Sequence, residues 1–473
     1  MKTSTDILLT HSNHLFFDPK QVRKMQPYPP LQTLIAAAVL RAEGYSVALF
    51  DSTFAEPEAG FREALKRYRP GLVVVAEDNF NFLTKMCLVR NREVAFGFAA
   101  AARQMGVRII VNGSDAADRA GDYLAAGFDA VIAGELEQTL LEFCAVRAQG
   151  LAGLVWMGPD GRVQHGPIRK PNFDLGALPE PAWDLVDMGA YRDAWRSAHG
   201  YFSLNLVSSR GCPFRCNWCA KPIYGGTYRF HSPAAVARDM LHLKREYQPD
   251  MIWFADDIFA LSRQWTAEFA AEVERLDARV PFRMQSRCDL MTRDTVADLR
   301  RAGCAEVWMG AESGSQRVLD AMEKDLSVRA VRAACENARA HDIRPCLFLQ
   351  FGYPGETWDD IQQTIDMVRA VRPADVGISV SYPLPNTRLY EKVRADRAAK
   401  TNWRDSDDLD LMFRGAYTTE FYRALADALH AEVRSGAAHA APLWRTVRQM
   451  EAVSRTEPPP APFHFPVLQQ VAG

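Results

Sequence analysis

The chain has 473 residues, a formal net charge of -2, and 48% hydrophobic against 24% charged residues. This is the balance of an ordinary globular protein with room for two or three domains; it excludes a disordered chain and gives no bulk electrostatic case for nucleic acid or an anionic membrane. No stretch of 18 or more apolar residues runs without charge, so integral membrane contact is not expected, and Met1 to Asp6 leads into an apolar strand without a signal-like region, which predicts a cytoplasmic location.

In chain order, residues 1-150 alternate short apolar strands with helices. Strands are predicted at Ile7 to Leu9, Tyr45 to Asp51, Gly71 to Ala76, Val107 to Val111 and Asp129 to Ile132. Helices are predicted at Leu31 to Ala42, Phe61 to Tyr68, 91-105, 118-126 and Glu135 to Val146. The pattern implies an α/β unit with a doubly wound parallel sheet, Rossmann-like, whose ligands lie beyond the strand carboxyl ends. Those ends carry Ser12-Asn13-His14, Glu77-Asp78-Asn79, Asn112-Gly113-Ser114-Asp115 and Ala133-Gly134-Glu135. Gly113 and Gly134 would admit a large cofactor close to the backbone, or serve as ordinary turn residues. No GxGxxG nucleotide fingerprint is present.

Residues 151-200 read as a linker, with a hairpin around Pro159-Asp160-Gly161-Arg162 and a proline-punctuated run from Leu178 to Asp184. Residues 201-390 repeat the strand-helix alternation, with strands predicted at 202-208, 251-255, 281-285, 305-310, 345-351 and 376-381. Six such units fit a partial or full α/β barrel with its active site over the strand C-termini. Residues 391-473 form a small, mostly helical C-terminal region, with an amphipathic helix from Tyr417 to Ser435 and an extended Pro458 to Pro462 run.

Six of the nine cysteines (Cys87, Cys144, Cys288, Cys304, Cys335 and Cys346) stand singly among apolar residues and read as buried small hydrophobes. The other three form Cys212-Pro213-Phe214-Arg215-Cys216-Asn217-Trp218-Cys219, directly after the first barrel strand. Structural zinc sites usually add a second Cys or His pair, and no second CxxC exists here. Zinc, a metal-free thiol group and an iron-sulfur cluster all stay open, the last with one iron lacking a protein thiolate and free to take a chelating ligand.

At Cys212, Cys216, Trp218 and Cys219 the sequence resembles the radical S-adenosylmethionine enzymes, whose signature is Cys-x-x-x-Cys-x-aromatic-Cys. The resemblance implies a [4Fe-4S] cluster on the three cysteines and S-adenosyl-L-methionine chelated at the unique iron, where an electron would cleave it to a 5'-deoxyadenosyl radical. Gly310-Ala311-Glu312-Ser313-Gly314 is similar to the family's G-x-E-S-G segment, which implies that Glu312 and Ser313 contact the cosubstrate, with Gly314 keeping the approach open. Gln285 and Arg287 after the third barrel strand are further candidates for its polar end, and Asp256, Asp257 and Tyr382 are candidate catalytic groups facing the pocket.

The first unit resembles the cobalamin-binding domain that precedes many radical enzymes of this class, through Tyr28-Pro29-Pro30-Leu31, Phe50-Asp51, the 112-115 loop and Gly134-Glu135-x-Glu137. Asn79, Asn112, Gly113, Ser114, Asp115, Gly134 and Glu135 are the residues this implies at the cofactor. The Asp-x-His-x-x-Gly motif that supplies a lower histidine ligand is absent, and Asn112 to Asp115 stands where relatives often have Gly-Gly-x-His. The combined resemblance implies a cobalamin-dependent C-methyltransferase acting on an unactivated carbon of a small molecule, served by an external electron donor such as flavodoxin or ferredoxin. Three alternatives stand beside it: an oxidative cyclase or ring-rearranging enzyme similar to the anaerobic magnesium-protoporphyrin monomethyl ester cyclases, radical chemistry without cobalamin, and a non-catalytic corrinoid or cluster carrier.

Overall fold

The computed structural model describes residues 5-146, 150-171, 174-221 and 223-455; Met1 to Ser4 and the Pro458 to Pro462 run lie outside them. The first unit is built on β1 (Ile7–Thr10), β2 (Val47–Phe50), β3 (Leu72–Ala76), β4 (Arg108–Asn112) and β5 (Ala130–Ile132), all parallel, in the order β2-β1-β3-β4-β5. Val73, Val74 and Val75 are all fully buried, as a parallel strand covered on both faces requires. The hairpin expected in the 151-200 segment forms as β6 (Leu154–Met157) and β7 (Val163–His165) and continues the same sheet antiparallel from β5. That docking gives the β5 edge a partner for its open hydrogen-bonding groups.

From Leu31 through Leu40 every residue of the helix Leu31–Ala42 is buried. One face covers the first sheet; the other meets the second unit across a cavity of about 150 Å³ that Leu31, Ile35, Leu206, Val207 and Ala235 help to line. A single hydrophobic core therefore runs from Leu9 and Val74 through Leu34 to Leu204, Tyr224 and Met240. The helix Met188–His199 reinforces the joint, with Trp195 Nε1 donating to Pro27 O at 2.6 Å and the Tyr191 hydroxyl donating to Asp51 Oδ2 at 2.7 Å.

The second unit is a six-stranded, wholly parallel sheet: β8 (Ser203–Leu206), then β11 (Met251–Phe254), β12 (Phe282–Arg287), β13 (Cys304–Glu312), β14 (Arg344–Phe351) and β15 (Asp375–Val380), hydrogen-bonded in chain order as a partial barrel. Between β8 and β11 a short antiparallel ladder pairs β9 (Ser209–Arg210) with β10 (Arg229–Phe230), closing the base of the cysteine loop. The C-terminal region is an extended strap, where Arg397 bridges to Phe413, followed by the helices Thr419–Ser435 and Ala437–Val453, joined at Gly436. Among the described residues no helix is long and apolar enough to cross a membrane.

Gly314, just past β13, abuts the helix Trp358–Val371; a Cβ built there would lie 2.4 Å from Gln363 O and 2.6 Å from Thr364 Cα. Its smallness is required by the packing of that helix. Gly314→Ala is expected to destabilise the protein by about 1–3 kcal/mol through overpacking against backbone, read from chemical denaturation; an unchanged midpoint would refute this.

Candidate active site

The cysteine loop leaves β9 through Gly211, whose φ of +81 and a Cβ position only 2.3 Å from Thr227 O both demand glycine. The six single cysteines are buried as expected, and the thiols of Cys212, Cys216 and Cys219 are free and partly exposed. Within the loop, Cys212 N–H donates to Gly225 O (3.2 Å) and Cys219 N–H to Cys216 O (3.3 Å). Burial pushes the Cys212 thiol up and the Cys219 thiol up to about 12, so metal loading must displace protons from the loop. Among the described residues no three His, Cys, Asp or Glu side chains converge to hold one metal ion. The three thiols fit as donors to an iron-sulfur core, in which each would hold a different iron.

Asn217, between the second and third cysteines, rivets the loop. Its N–H donates to Met322 O (3.0 Å), its Nδ2 to Ala321 O (2.8 Å), and its carbonyl accepts from Leu389 N–H (2.9 Å). The Tyr353 hydroxyl donates to its Oδ1 at 3.1 Å. Trp218 packs beside Val318, Met322, Tyr353 and Leu389, and its buried Nε1 has no partner among the described residues. On the other side, the Arg287 guanidinium stacks 3.8 Å from the Phe214 ring centroid.

Glu312 ends β13 in a left-handed conformation (φ +58), where the register with β14 shifts. Such a backbone costs on the order of 1–3 kcal/mol and persists only where its surroundings fix it. Here the fixing partner is Lys324, whose Nζ lies 2.8 Å from Glu312 Oε1, both side chains being buried. Burial alone would lower the Lys324 pKa; Glu312, with the Cys216 thiol close by, outweighs it and holds the ammonium above its ordinary value. A Cβ on Gly310 would sit 2.7 Å from both Glu312 Oε1 and Lys324 Nζ, so glycine leaves room for the pair. Arg287 closes the group by donating to Lys324 O (2.9 Å) and Asp325 O (2.8 Å) while pairing with Asp289. The structure thus brings Glu312, Arg287 and the cysteine loop together, and adds Lys324 and Asn217, which no spacing rule had singled out as site residues.

Other candidates are engaged inside the protein. Ser313 is fully buried, with Oγ 3.1 Å from Thr364 Oγ1 and accepting from Ser315 N–H at 3.1 Å. Asp256 accepts from the Ser208 and Ser209 hydroxyls, tying the root of the cysteine loop to the end of β11; burial pushes its pKa up to about 6. Gln285 Nε2 donates to Asp256 O, and Asp257 pairs with Lys85 of the first unit at 2.5 Å. Tyr382 stacks on Trp403 with centroids 4.2 Å apart, and its hydroxyl accepts from Asn402 Nδ2 at 3.0 Å. Burial carries the Tyr382 phenol up to about 12.

At the strand ends of the first unit, Asn79 Nδ2 donates to Asn112 Oδ1, and Asn112 Nδ2 donates to Ile132 O and Gly134 O, each at 2.9 Å. One amide network therefore holds the ends of β3, β4 and β5. Gly113 is packed against Glu77, 2.7 Å from Cγ to a built Cβ, while Gly134 (φ +92) has nothing within 4 Å of that position. Asp115 is held by Arg92 at 2.5 and 2.6 Å and by the Tyr123 hydroxyl at 2.9 Å. Glu135 is also committed, to Arg210 and Arg229. Asn79 Oδ1, Thr84 Oγ1 and Ser114 Oγ are buried without a partner among the described residues. Unspent polar atoms around an open glycine fit a polar macrocyclic cofactor at this edge.

Comparison with known proteins agrees with this architecture. Residues 206–368, most of the partial barrel, match the Radical SAM superfamily. An uncharacterized methyltransferase of Pyrococcus horikoshii is 27% identical over 288 residues, 60% of this chain and 62% of that protein. The anaerobic magnesium-protoporphyrin IX monomethyl ester cyclase of Rubrivivax gelatinosus is 24% identical over 280 residues, 56% of this chain and 49% of that one. The chain thus matches only about half to three-fifths of these relatives' lengths. The radical S-adenosylmethionine methyltransferase TsrM from Kitasatospora setae, solved with cobalamin and a [4Fe-4S] cluster bound, shares the fold: TM-score 0.67, 18% identity, 83% of this chain and 75% of that one.

Glu356, in the loop after β14, is fully buried and accepts from Gly352 N–H at 2.6 Å; burial pushes its carboxyl up to about 8. An unfolded chain releases that proton near its ordinary pKa of 4.5. The folded state keeps the proton longer, so stability falls as pH rises between about 4.5 and 8. Glu356→Gln removes this loss, and the difference in melting temperature, variant minus native, is expected to grow from pH 5 to pH 9. A flat difference would refute the assignment.

Proposed function

We propose that the protein is a cobalamin-dependent radical S-adenosylmethionine enzyme that methylates an unactivated carbon of a small-molecule substrate, with electrons from a flavodoxin- or ferredoxin-like donor. The observation that carries this reading is one juxtaposition. The loop after β9 carries three thiols and brings one of them, Cys216, near the buried Glu312–Lys324 pair, and the same loop is gripped by the cofactor edge of a Rossmann-like unit. When bound, a [4Fe-4S] cluster with S-adenosylmethionine supplies radical chemistry and cobalamin supplies a transferable methyl group, neither of which side chains provide.

The chain's own residues bind and orient. Cys212, Cys216 and Cys219 would hold the cluster. Lys324, buried next to Cys216, offers positive charge for a carboxylate, and Glu312, fixed by Lys324, offers an acceptor for an ammonium or ribose hydroxyls. Asn79, Thr84, Ser114 and the space before Gly134 would receive cobalamin. Proximity of the two sites is the contribution of the fold. The likeness to the cyclase supports a second reading, in which the substrate carbon is oxidised or closed into a ring rather than methylated.

The anaerobically reconstituted protein, given reductant and S-adenosylmethionine, is expected to release 5'-deoxyadenosine, and Cys216→Ala to abolish it. Persistence of that product in the variant would remove the cluster assignment. With trideuteromethyl S-adenosylmethionine, C-methylation predicts a product heavier by a labelled methyl group; an unlabelled cyclised product would favour the second reading instead. Lys324→Met is expected to weaken S-adenosylmethionine binding about 10-fold or more, the loss of one charge-assisted contact, measured by equilibrium dialysis on cluster-loaded protein.

A further inference from the structure

Both roots of the cysteine loop are fastened to the first unit, and by the same turn. Arg210, two residues before Cys212, is fully buried, with Nη2 2.7 Å from Glu137 Oε1 and Nη1 3.1 Å from Glu137 Oε2 and 3.4 Å from Glu135 Oε1. Arg229 faces Arg210 across the β9–β10 ladder and pairs with Glu135. Tyr224, beyond Cys219, donates its hydroxyl to Gln32, and Gln32 Nε2 donates to Glu137 at 3.0 Å. Burial alone would raise the Glu137 carboxyl; the Arg210 guanidinium overrides this and holds it below its ordinary value. Glu135 follows Gly134, the glycine with open space before it at the edge that fits cobalamin, and Glu137 lies in the first turn of the helix Leu136–Val146 that this turn leads into. A shift of that turn is therefore transmitted to both ends of the loop.

We infer that Arg210 is a positioning residue that couples the two cofactor sites, acting through Glu137 and Glu135 on the cysteine loop rather than on reacting atoms. The inference rests on the proposed function for the identity of the cofactors. Filling either site changes the affinity of the other, and by linkage the change is reciprocal.

The test uses the full chain. Hydroxocobalamin is titrated anaerobically by visible absorbance before and after cluster reconstitution, and the paramagnetic resonance spectrum of the reduced cluster is recorded with and without it. The two dissociation constants are expected to differ by about tenfold, a usual size for coupled sites, and the corrinoid is expected to shift the cluster's g-values. Arg210→Met combined with Glu137→Gln removes both charges together and avoids the unpaired buried carboxylate that Arg210→Met alone would leave. This double variant is expected to bind iron and corrinoid, yet to show a ratio within about twofold of one and no g-shift; Arg210→Lys is expected to keep part of both. A ratio of one in the native protein, or the native ratio in the double variant, overturns the inference. If no corrinoid binds at all, the proposed function fails, and the positioning role is judged on the cluster alone: a reduced-cluster spectrum identical in native and double variant then overturns it.

Discussion

Removing a guanidinium from water costs several kcal/mol unless hydrogen-bonded carboxylates meet it. Arg210 is buried completely and meets two, Glu137 in bidentate fashion and Glu135 at longer range, while its flat face lies over Phe80 and Tyr224 with centroids 5.6 and 5.1 Å away. Those partners come from the two halves of the molecule, so the charge is satisfied only when the halves are docked. The position of the cysteine loop over the barrel mouth, and of the first unit beside it, both follow from that constraint. Glu312 and Lys324 repeat the device on the other side of the loop, again with an ion pair that holds an otherwise costly conformation.

Much of the fold was legible because its strands declare themselves. The six barrel strands are compact apolar runs, and the structure finds each within a few residues of its predicted place. The helix over Leu31 to Ala42 appears with the same ends. The docking of the 154-165 hairpin was not legible, since a hairpin turn marks itself locally but its partner edge, β5, is a property of the whole sheet. The cysteine spacing and Gly310 to Ser313 pointed to the site because three thiols and a strand-end carboxylate carry chemistry in their own side chains. Lys324 and Asn217 escaped notice as site residues for the opposite reason: each becomes informative only through a residue distant in sequence, as does the pairing of Arg210 with Glu137. Ser313 was visible for its hydroxyl, yet that hydroxyl turns inward to Thr364.

The C-terminal strap illustrates the same limit. Nothing in its composition suggests a role, but Asn402 donates to the Tyr382 hydroxyl and accepts from Arg92 and Arg119, which also lie against Asp115. Val89 and Arg90, at the start of the helix Val89–Gln104, donate their N–H groups to Trp403 and Arg404 carbonyls. The strap thus caps a helix of the first unit while bracing the last barrel loop, a second tie between the two units besides Arg210.

The buried helix from Leu31 to Ala42 has a consequence for how the chain comes into being. Its second face is covered only after Ala235 and its neighbours exist, roughly 200 residues later, or about 10–40 s at usual synthesis rates. Over that interval the newborn first unit presents an apolar wall to solvent or to any holding chaperone that meets it. The order of translation therefore makes the second unit the lid of the first one's core, and premature termination within it leaves an aggregation-prone fragment instead of a stable smaller protein.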